Sequence, residues 1–202
     1  ATGLGALLRT GWRPARTLVL CSWSGEEYGL LGSTAFSEVH ARTPLLRRAL
    51  AYLNVDTGVS GRHFRAQGTP SLGRVLAGAL GAIADPAKPG HTLAEHWDDG
   101  DLYVLGSGSD YTAYLDHLGI ASLDLAFTPA AAPYGVYHSV YDSFEWMDSV
   151  GDPGFVYHVA MARLWGLVAL RLAGSAPSDS ASPTPLPLNF TLQAEAIGGY
   201  IA

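Results

Sequence analysis

Apolar residues in this chain occur in short runs that polar and glycine-rich stretches separate. The runs at 18–21, 50–55 and 120–127 have the length and continuity of strands buried on both faces of a sheet. A shorter stretch at 63–67 predicts a further strand. The pattern therefore predicts a sheet whose strands are spread along most of the chain.

Helix signals fill the intervals between these strands. They predict helices at residues 1–11, 33–40, 71–83, 110–118 and 153–173. Ser33 is the expected N-cap of the second helix. The last helix is apolar enough to raise the question of a membrane span. Because His158, Arg163 and Arg171 interrupt it, we predict a packed core helix instead.

The alternation of strand, loop and helix predicts an α/β fold with a mixed, mostly parallel central sheet flanked by helices. Residues 175–187 are rich in serine and proline, which is the composition of a linker. A short amphipathic segment follows from Asn189. We therefore predict one α/β portion at 1–174, a linker at 175–188 and the start of a C-terminal helical segment at 189–202.

Composition narrows the class of protein. The chain has 202 residues, of which 48% are hydrophobic and 15% charged, so it can bury a core and is not disordered. A net charge of −6 without a basic run argues against nucleic-acid binding. Cys21 is the single cysteine, which excludes an internal disulfide. The chain begins inside a predicted helix and without Met, so we expect a fragment or a processed chain that is incomplete at its N-terminus.

Three carboxylates follow two of the predicted strands. Glu26 and Glu27 follow the first strand, in the type of loop where open α/β sheets place their chemistry. We expect this loop to be extended, so that the two side chains point in different directions. Asp56 ends the second strand and brings a third carboxylate to the same edge. Adjacent carboxylates repel each other unless a cation or a proton compensates. Taken singly, a Glu-Glu pair is usually a solvated surface feature, and an aspartate before a glycine is usually a turn residue.

The three carboxylates lie in sequence blocks that resemble a known family. The block at 22–34, SWSGEEYGLLGST, resembles the signature of the di-zinc M28 peptidases, specifically the glutamate carboxypeptidase II branch. Further blocks in the same order lie at 51–56 (AYLNVD), 105–111 (LGSGSDY), 118–122 (LGIAS) and 137–144 (YHSVYDSF). Ordered blocks over most of the chain are far more specific than one acidic pair. The resemblance implies a sheet flanked by helices, with two zinc ions at the strand ends.

The resemblance also implies roles for single residues. Glu27 and His138 would be ligands of one zinc, and Asp56 would be a ligand of the other. Glu26 would be the general base that takes a proton from the attacking water and returns it to the leaving amine. A zinc hydrolase needs such oxygen and imidazole ligands beside a base. Taken alone, a histidine at 138 would more often be a partly buried side chain than a ligand.

The substrate-binding residues implied by the resemblance are Tyr137, Ser107, Gly108 and Ser109. The Tyr137 hydroxyl would stabilise the tetrahedral intermediate, although an aromatic wall residue is the alternative. The three small residues would line the substrate cleft, and a helix-capping turn is equally compatible with them. The other histidines match no ligand of the family, and we assign them to the surface or the core. They are His40, His63, His91, His96, His117 and His158.

The chain departs from the family pattern in its ligands. The family site also takes a histidine and a bridging aspartate from an earlier segment, whereas residues 1–16 contain no His, Asp or Glu. The chain therefore supplies three of the five expected ligands. By itself it should bind metal weakly or hold one ion, and its activity should depend on an upstream segment.

Further departures concern the substrate and calcium. Branch members that cleave acidic dipeptides carry two arginines where this chain has Asp124 and Ala126, so a preference for acidic residues is unsupported. The family's calcium site uses two glutamates, and here those positions are Ala35 and Glu38. A preference for acidic dipeptides and a calcium site are therefore both unsupported by these residues.

The function expected from the sequence is that of a zinc-dependent exopeptidase of the carboxypeptidase or dipeptidase type. The alternatives left open are a non-catalytic binding relative similar to the transferrin receptor, an M28 aminopeptidase, and a truncated product with an interaction role. The resemblance implies a peptide substrate, a homodimer formed through the C-terminal helical region, and a membrane anchor outside this chain. It also suggests an extracellular or secretory-pathway location, which the sequon at 189–191 supports weakly.

Overall fold

The computed structural model describes residues 2–97, 102–130, 134–175 and 185–201. Within them, the strands β1 (Tyr52–Asn54), β2 (His63–Gly68) and β3 (Ser122–Thr128) form one sheet in the order β1-β3-β2. β3 runs parallel to β1 and antiparallel to β2. The predicted mixed α/β fold is confirmed, with one parallel and one antiparallel pairing in the described sheet.

The helices surround this sheet. The α-helices are α1 (Thr2–Arg9), α2 (Leu31–His40), α3 (Pro44–Arg47), α4 (Gly73–Leu80), α5 (Phe144–Trp146), α6 (Val156–Ala173) and α7 (Phe190–Ile201). Short 3₁₀ turns lie at Glu26–Tyr28, Pro70–Leu72, Leu93–Glu95 and Pro153–Phe155. Two π-helical turns lie at Ala113–His117 and Met147–Gly151.

One face of the sheet packs on the main hydrophobic core. Side chains alternate along β3, and Leu123, Leu125 and Phe127 are buried against α4 and α6. From α6, residues including Leu164 and Val168 enter this core. The segment 153–173 is long and apolar enough to cross a membrane by length and composition. In this fold its buried side packs on the sheet, as the sequence predicted.

The opposite face carries a second, aromatic cluster. The ring of Tyr52 in β1 stacks on Tyr114 with centroids 4.1 Å apart. Trp23 donates its indole N–H to the Tyr52 hydroxyl at 2.9 Å, and its ring lies 5.1 Å from that of Phe36 in α2. Because helical segments therefore cover both faces, the sheet is the middle of three layers.

The strand predicted at 18–21 does not form, and this prediction was wrong. Val19 and Leu20 are 54% and 68% exposed, and residues 17–23 run without regular structure. An apolar run becomes a strand only when its backbone N–H and C=O groups find a ladder partner. In the described sheet β1 is an edge strand that pairs only with β3, so no ladder reaches this run.

The predicted N-cap at Ser33 was also wrong. α2 begins two residues earlier, after Leu30, whose φ of 58° lies in the left-handed region. Ser33 lies inside the first turn, fully buried, and its hydroxyl donates to the Leu30 carbonyl at 3.2 Å. The start of the helix is fixed by packing: a Cβ at Gly32 would lie 2.7 Å from the Ser24 carbonyl oxygen, so only glycine fits there.

Other elements differ from prediction in length or type. The second strand is limited to β1, and the helix predicted at 71–83 is divided into a 3₁₀ turn and α4. The helix predicted at 110–118 consists mainly of the π-helical turn at Ala113–His117. These boundaries depend on tertiary packing, which local sequence signals describe poorly.

Asp152 precedes α6 and caps its first turn. Its carboxylate is 1% exposed and accepts hydrogen bonds from the backbone N–H groups of Tyr157 (3.0 Å) and His158 (2.9 Å). The His158 Nδ1 lies 2.7 Å from the same carboxylate. Burial by itself would raise the pKa of Asp152, but the bonds from His158 and the two N–H groups outweigh it and lower this pKa below its usual value.

The Asp152 cap makes a testable prediction about stability and pH. Because the folded-state pKa is depressed, the stabilisation is complete above the unfolded-state pKa of about 3.9 and is lost as the pH falls through the folded-state value. Asp152→Asn should lower the free energy of unfolding at pH 7 by about 1–2 kcal/mol. Urea titrations at pH 7 and pH 3 measure this, with the exposed Asp148→Asn as control. A deficit equally large at both pH values would contradict this account of the cap.

The C-terminal helix packs on the remainder of the fold. The backbone N–H of Asn189 donates to the Ser71 carbonyl at 2.8 Å, and the Ser71 N–H donates to the Gln193 side chain at 3.3 Å. Asn189 Oδ1 caps α7 by accepting the N–H groups of Thr191 and Leu192. Most of the predicted linker, residues 176–184, lies outside the described residues. The domain boundaries at 174 and 188 stay predictions.

Candidate active site

Two glycines shape the turn that presents the acidic pair. Glu26 and Glu27 begin a 3₁₀ turn flanked by Gly25 (φ 67°) and Gly29 (φ 100°). Both glycines occupy the left-handed region that other residues adopt only at a cost. The sequence suggested an extended loop, which was wrong. A 3₁₀ turn has about three residues per turn, so the two carboxylates still point in different directions.

Asp56 lies two residues beyond the end of β1. Its Oδ2 accepts a hydrogen bond from the Ser109 hydroxyl at 2.8 Å. Its Oδ1 has a longer contact of 3.4 Å with the hydroxyl of Thr57. Thr57 itself has a φ of 46°, an uncommon conformation for a β-branched residue.

His138 contacts the acidic pair directly. Its Nε2 lies 2.8 Å from Glu27 Oε1, although the two residues are far apart in sequence. The Tyr137 ring stacks on the imidazole with centroids 3.8 Å apart and planes 20° apart. His138 has a φ of 58°. Left-handed non-glycine residues are strained and cluster at functional sites, and Thr57 and His138 both lie here.

The charges at this edge of the sheet act on one another. Burial raises the pKa of Glu26 above its usual value, and the negative charges of Asp56, Glu27 and Asp110 raise it further. The charge of His138 has the opposite effect on this pKa. The pKa of Tyr137 is also raised, first by burial and then by the neighbouring carboxylates Glu27, Asp56 and Glu26. These side chains therefore share one electrostatic environment.

An open cleft of about 330 Å³ lies against these residues. It is lined by Glu27, Thr57, Gly58, Val59, Tyr134, Tyr137, His138, Asp142, Met147 and His158. Sequence reasoning missed several of them, and it had assigned His158 only to the surface or the core. Tyr134 and Asp142 lie close to His138 in sequence and hydrogen-bond to each other. Their closeness to the predicted ligand was the sequence signal that could have identified them. Met147 carries no such signal.

The structure brings most of the predicted site residues together. Glu27, Tyr137 and His138 line the cleft. Glu26 and Asp56 interact electrostatically with residues of this group. Ser107 and Gly108 lie in an exposed turn, whereas Ser109 is 5% exposed and directs its hydroxyl at Asp56. The roles assigned to all of these residues from the sequence stay predictions.

The donor set fits part of a zinc site. Glu27 and His138 offer a carboxylate and an imidazole within 2.8 Å of each other, and zinc prefers such ligands. Within the described ranges, no group of three or more His, Cys, Asp or Glu side chains is arranged to hold a metal ion. The described residues therefore present a pair of suitable ligands and a neighbouring aspartate.

Fold and site together define the class: an α/β protein that gathers acidic residues and an imidazole in a cleft beside its sheet. Residues 4–151 match the sequence profile described as Peptidase family M28. This match covers more than half of the chain. The chain belongs to peptidase family M28, as its sequence blocks predicted.

Individual relatives agree with this assignment. The chain is 46% identical over 178 residues to the probable glutamate carboxypeptidase LAMP1 of Arabidopsis thaliana, covering 86% of this chain and 26% of that protein. It is 39% identical over 217 residues to the aminopeptidase NAALADL1 of Mus musculus, covering 98% of this chain and 28% of that protein. The chain thus spans about a quarter of the length of these relatives.

One solved structure is also similar. The aminopeptidase from Aneurinibacillus sp. strain AM-1 aligns with a TM-score of 0.49 and 16% sequence identity, covering 81% of this chain and 34% of that chain.

Proposed function

We propose that this chain forms part of the catalytic site of a zinc-dependent exopeptidase of the carboxypeptidase or dipeptidase type. The observation that supports this proposal most directly is the 2.8 Å contact between Glu27 and His138, two residues more than a hundred positions apart. Glu26 and Asp56 lie within electrostatic range of that pair. A binding relative has no chemical reason to keep all four of these side chains.

In this proposal Glu27 and His138 hold one zinc ion, and Asp56 contributes to the second. Zinc bound there would act as a Lewis acid in the hydrolysis of a peptide bond. The contact between Glu27 and His138 places both donors where they can turn to one ion. The missing histidine and bridging carboxylate would come from another part of the intact protein.

Glu26 moves the proton. Its carboxylate is on the same turn as Glu27 but points in another direction, so it can face the attacking water while its neighbour faces the cation. It takes a proton from that water and returns it to the leaving amine. The Tyr137 hydroxyl, beside His138, donates a hydrogen bond to the oxygen on which negative charge develops.

The cleft itself favours a second candidate function, that of an aminopeptidase. Carboxylates of Glu27 and Asp142 line it, and none of its described lining residues is Lys or Arg. A free substrate ammonium group complements such a surface, whereas a terminal carboxylate finds no lysine or arginine among these lining residues. Peptides blocked at one end distinguish the candidates: cleavage of an N-acetylated peptide supports a carboxypeptidase, and cleavage only of a free-amino peptide supports an aminopeptidase.

The ligand assignment is tested by metal content. In the intact protein, His138→Ala and Glu27→Ala should each lower bound zinc, measured by elemental analysis after dialysis, and abolish peptide hydrolysis. His117→Ala, an exposed histidine away from the cleft, is the control and should retain both. Full zinc occupancy in both cleft variants would overturn the assignment. We also propose homodimerisation through residues 189–202 and a secretory location.

A further inference from the structure

A chain of polar side chains connects the middle of the sheet to Asp56. In the parallel register of β1 and β3, Asn54 lies directly opposite Asp124. The Asn54 side-chain amide donates one hydrogen bond to Asp124 Oδ1 at 2.8 Å and one to the Ser109 Oγ at 3.0 Å. An amide NH₂ group has two hydrogens, so both of its donors are used.

The Ser109 hydroxyl continues the chain in one direction. It accepts from Asn54 and donates its single hydrogen to Asp56 Oδ2 at 2.8 Å. The Asn54 amide nitrogen can only donate, so the Ser109 hydroxyl must accept from it. If this hydroxyl turned its hydrogen away from Asp56, it would lose its hydrogen bond to that carboxylate. The hydrogen of Ser109 is therefore directed at the Asp56 carboxylate.

The middle of this chain is shielded from water. Asn54 and Ser109 are each 5% exposed. A buried polar group that loses its partner bears the full cost of its desolvation, so these bonds resist rearrangement. The shielded part anchors Asp56, which lies nearer to solvent.

The two oxygens of Asp56 are held unequally. Oδ2 has the short bond from Ser109, whereas Oδ1 has only the 3.4 Å contact with Thr57. A contact of that length is weak. Oδ1 is therefore the oxygen that remains available to a cation.

We propose that Asp124, Asn54 and Ser109 are positioning residues that fix the orientation of the Asp56 carboxylate and so leave Oδ1 available to a metal ion. This inference rests on the proposed function, in which Asp56 is a ligand. It gives Asp124 a role in this chain, at a position where the acidic-dipeptide branch carries arginine. It also assigns the Ser109 hydroxyl to the support of a metal ligand rather than to direct contact with substrate. Partners behind a ligand typically contribute about 10–100-fold to metal affinity.

The test measures zinc affinity and stability separately in the intact protein. Ser109→Ala and Asn54→Ala should each weaken zinc binding by about 10–100-fold in competition with a chelator. Ser37→Ala is the matched control, because Ser37 is also fully buried and its hydroxyl donates to a backbone carbonyl, that of Thr34, at 2.8 Å. Ser37→Ala should leave zinc affinity unchanged. The melting temperature of the metal-free protein should fall in Ser109→Ala, because the buried Asn54 N–H then loses its acceptor. A purely structural role would lower that temperature and leave zinc affinity unchanged, which would overturn the proposal.

A double variant tests whether the residues act as one unit. If Asn54 acts through Ser109, the double variant should bind zinc about as weakly as Ser109→Ala alone, since coupled residues are not additive. Additive losses would contradict the ordered chain.

Asp56→Ala separates this inference from the proposed function. If that variant binds zinc as tightly as the unaltered protein, Asp56 is not a ligand and the proposed function is wrong at that position. If Asp56→Ala loses affinity while Ser109→Ala and Asn54→Ala keep it, the ligand assignment stands and only the positioning role fails. Loss in all three variants supports both.

Discussion

Replacing Glu26 by glutamine in the intact protein is expected to lower kcat for peptide hydrolysis by about 10²–10⁴-fold, the range that general acid–base catalysis contributes. Glutamine keeps the size and hydrogen-bonding capacity of the side chain but cannot accept a proton from water. Because the proposed ligands are Glu27, His138 and Asp56, the zinc content should not change. Steady-state kinetics and elemental analysis of the same preparation measure the two quantities together.

The control for this variant is Glu145→Gln, which changes an exposed glutamate outside the cleft and should leave kcat unaltered. Undiminished turnover in Glu26→Gln would remove Glu26 as the base. Loss of turnover together with loss of zinc would instead make Glu26 a ligand and require the roles within the acidic pair to be reassigned.

Replacing Phe127 by alanine is expected to lower the free energy of unfolding by about 3–5 kcal/mol, as for other buried phenylalanines. Phe127 is 1% exposed in the central strand β3. Its ring lies 5.7 Å from that of Phe64 and 5.1 Å from that of Tyr157, so its loss opens a cavity between β2 and α6. Equilibrium denaturation in urea measures the change.

Val39→Ala is the comparison for this core variant, since Val39 is 73% exposed on α2 and its change should cost far less. A loss below 1 kcal/mol in Phe127→Ala, as is usual for surface substitutions, would show that the β3–α6 contact contributes little to stability.

Several features could be predicted from local sequence. The runs that became β2 and β3, and the long helix α6, carry strong periodic or continuous apolar patterns. The acidic pair, Asp56 and His138 were identified because their sequence blocks resemble the M28 family, and the match over residues 4–151 confirms that family. Their carboxylate and imidazole groups are suited to binding a cation and to transferring a proton.

Other features could not be read from the sequence. The run at 18–21 has the pattern of a buried strand, but a strand needs a hydrogen-bonding neighbour, and pairing is a property of the whole sheet. The start of α2 likewise depends on the close approach of Gly32 to Ser24. The local sequence sets the secondary structure that a segment prefers, and tertiary contacts decide whether that structure forms.

By itself, the sequence determined the family, the α/β class and the residue types available for catalysis, because those depend on the order of side chains along the chain. Only the tertiary structure brought Glu27 to His138 and connected Asp124 to Asp56 through Asn54 and Ser109. Those contacts join residues more than fifty positions apart. They exist because strand register and backbone turns bring distant segments together, and no local pattern encodes such distances.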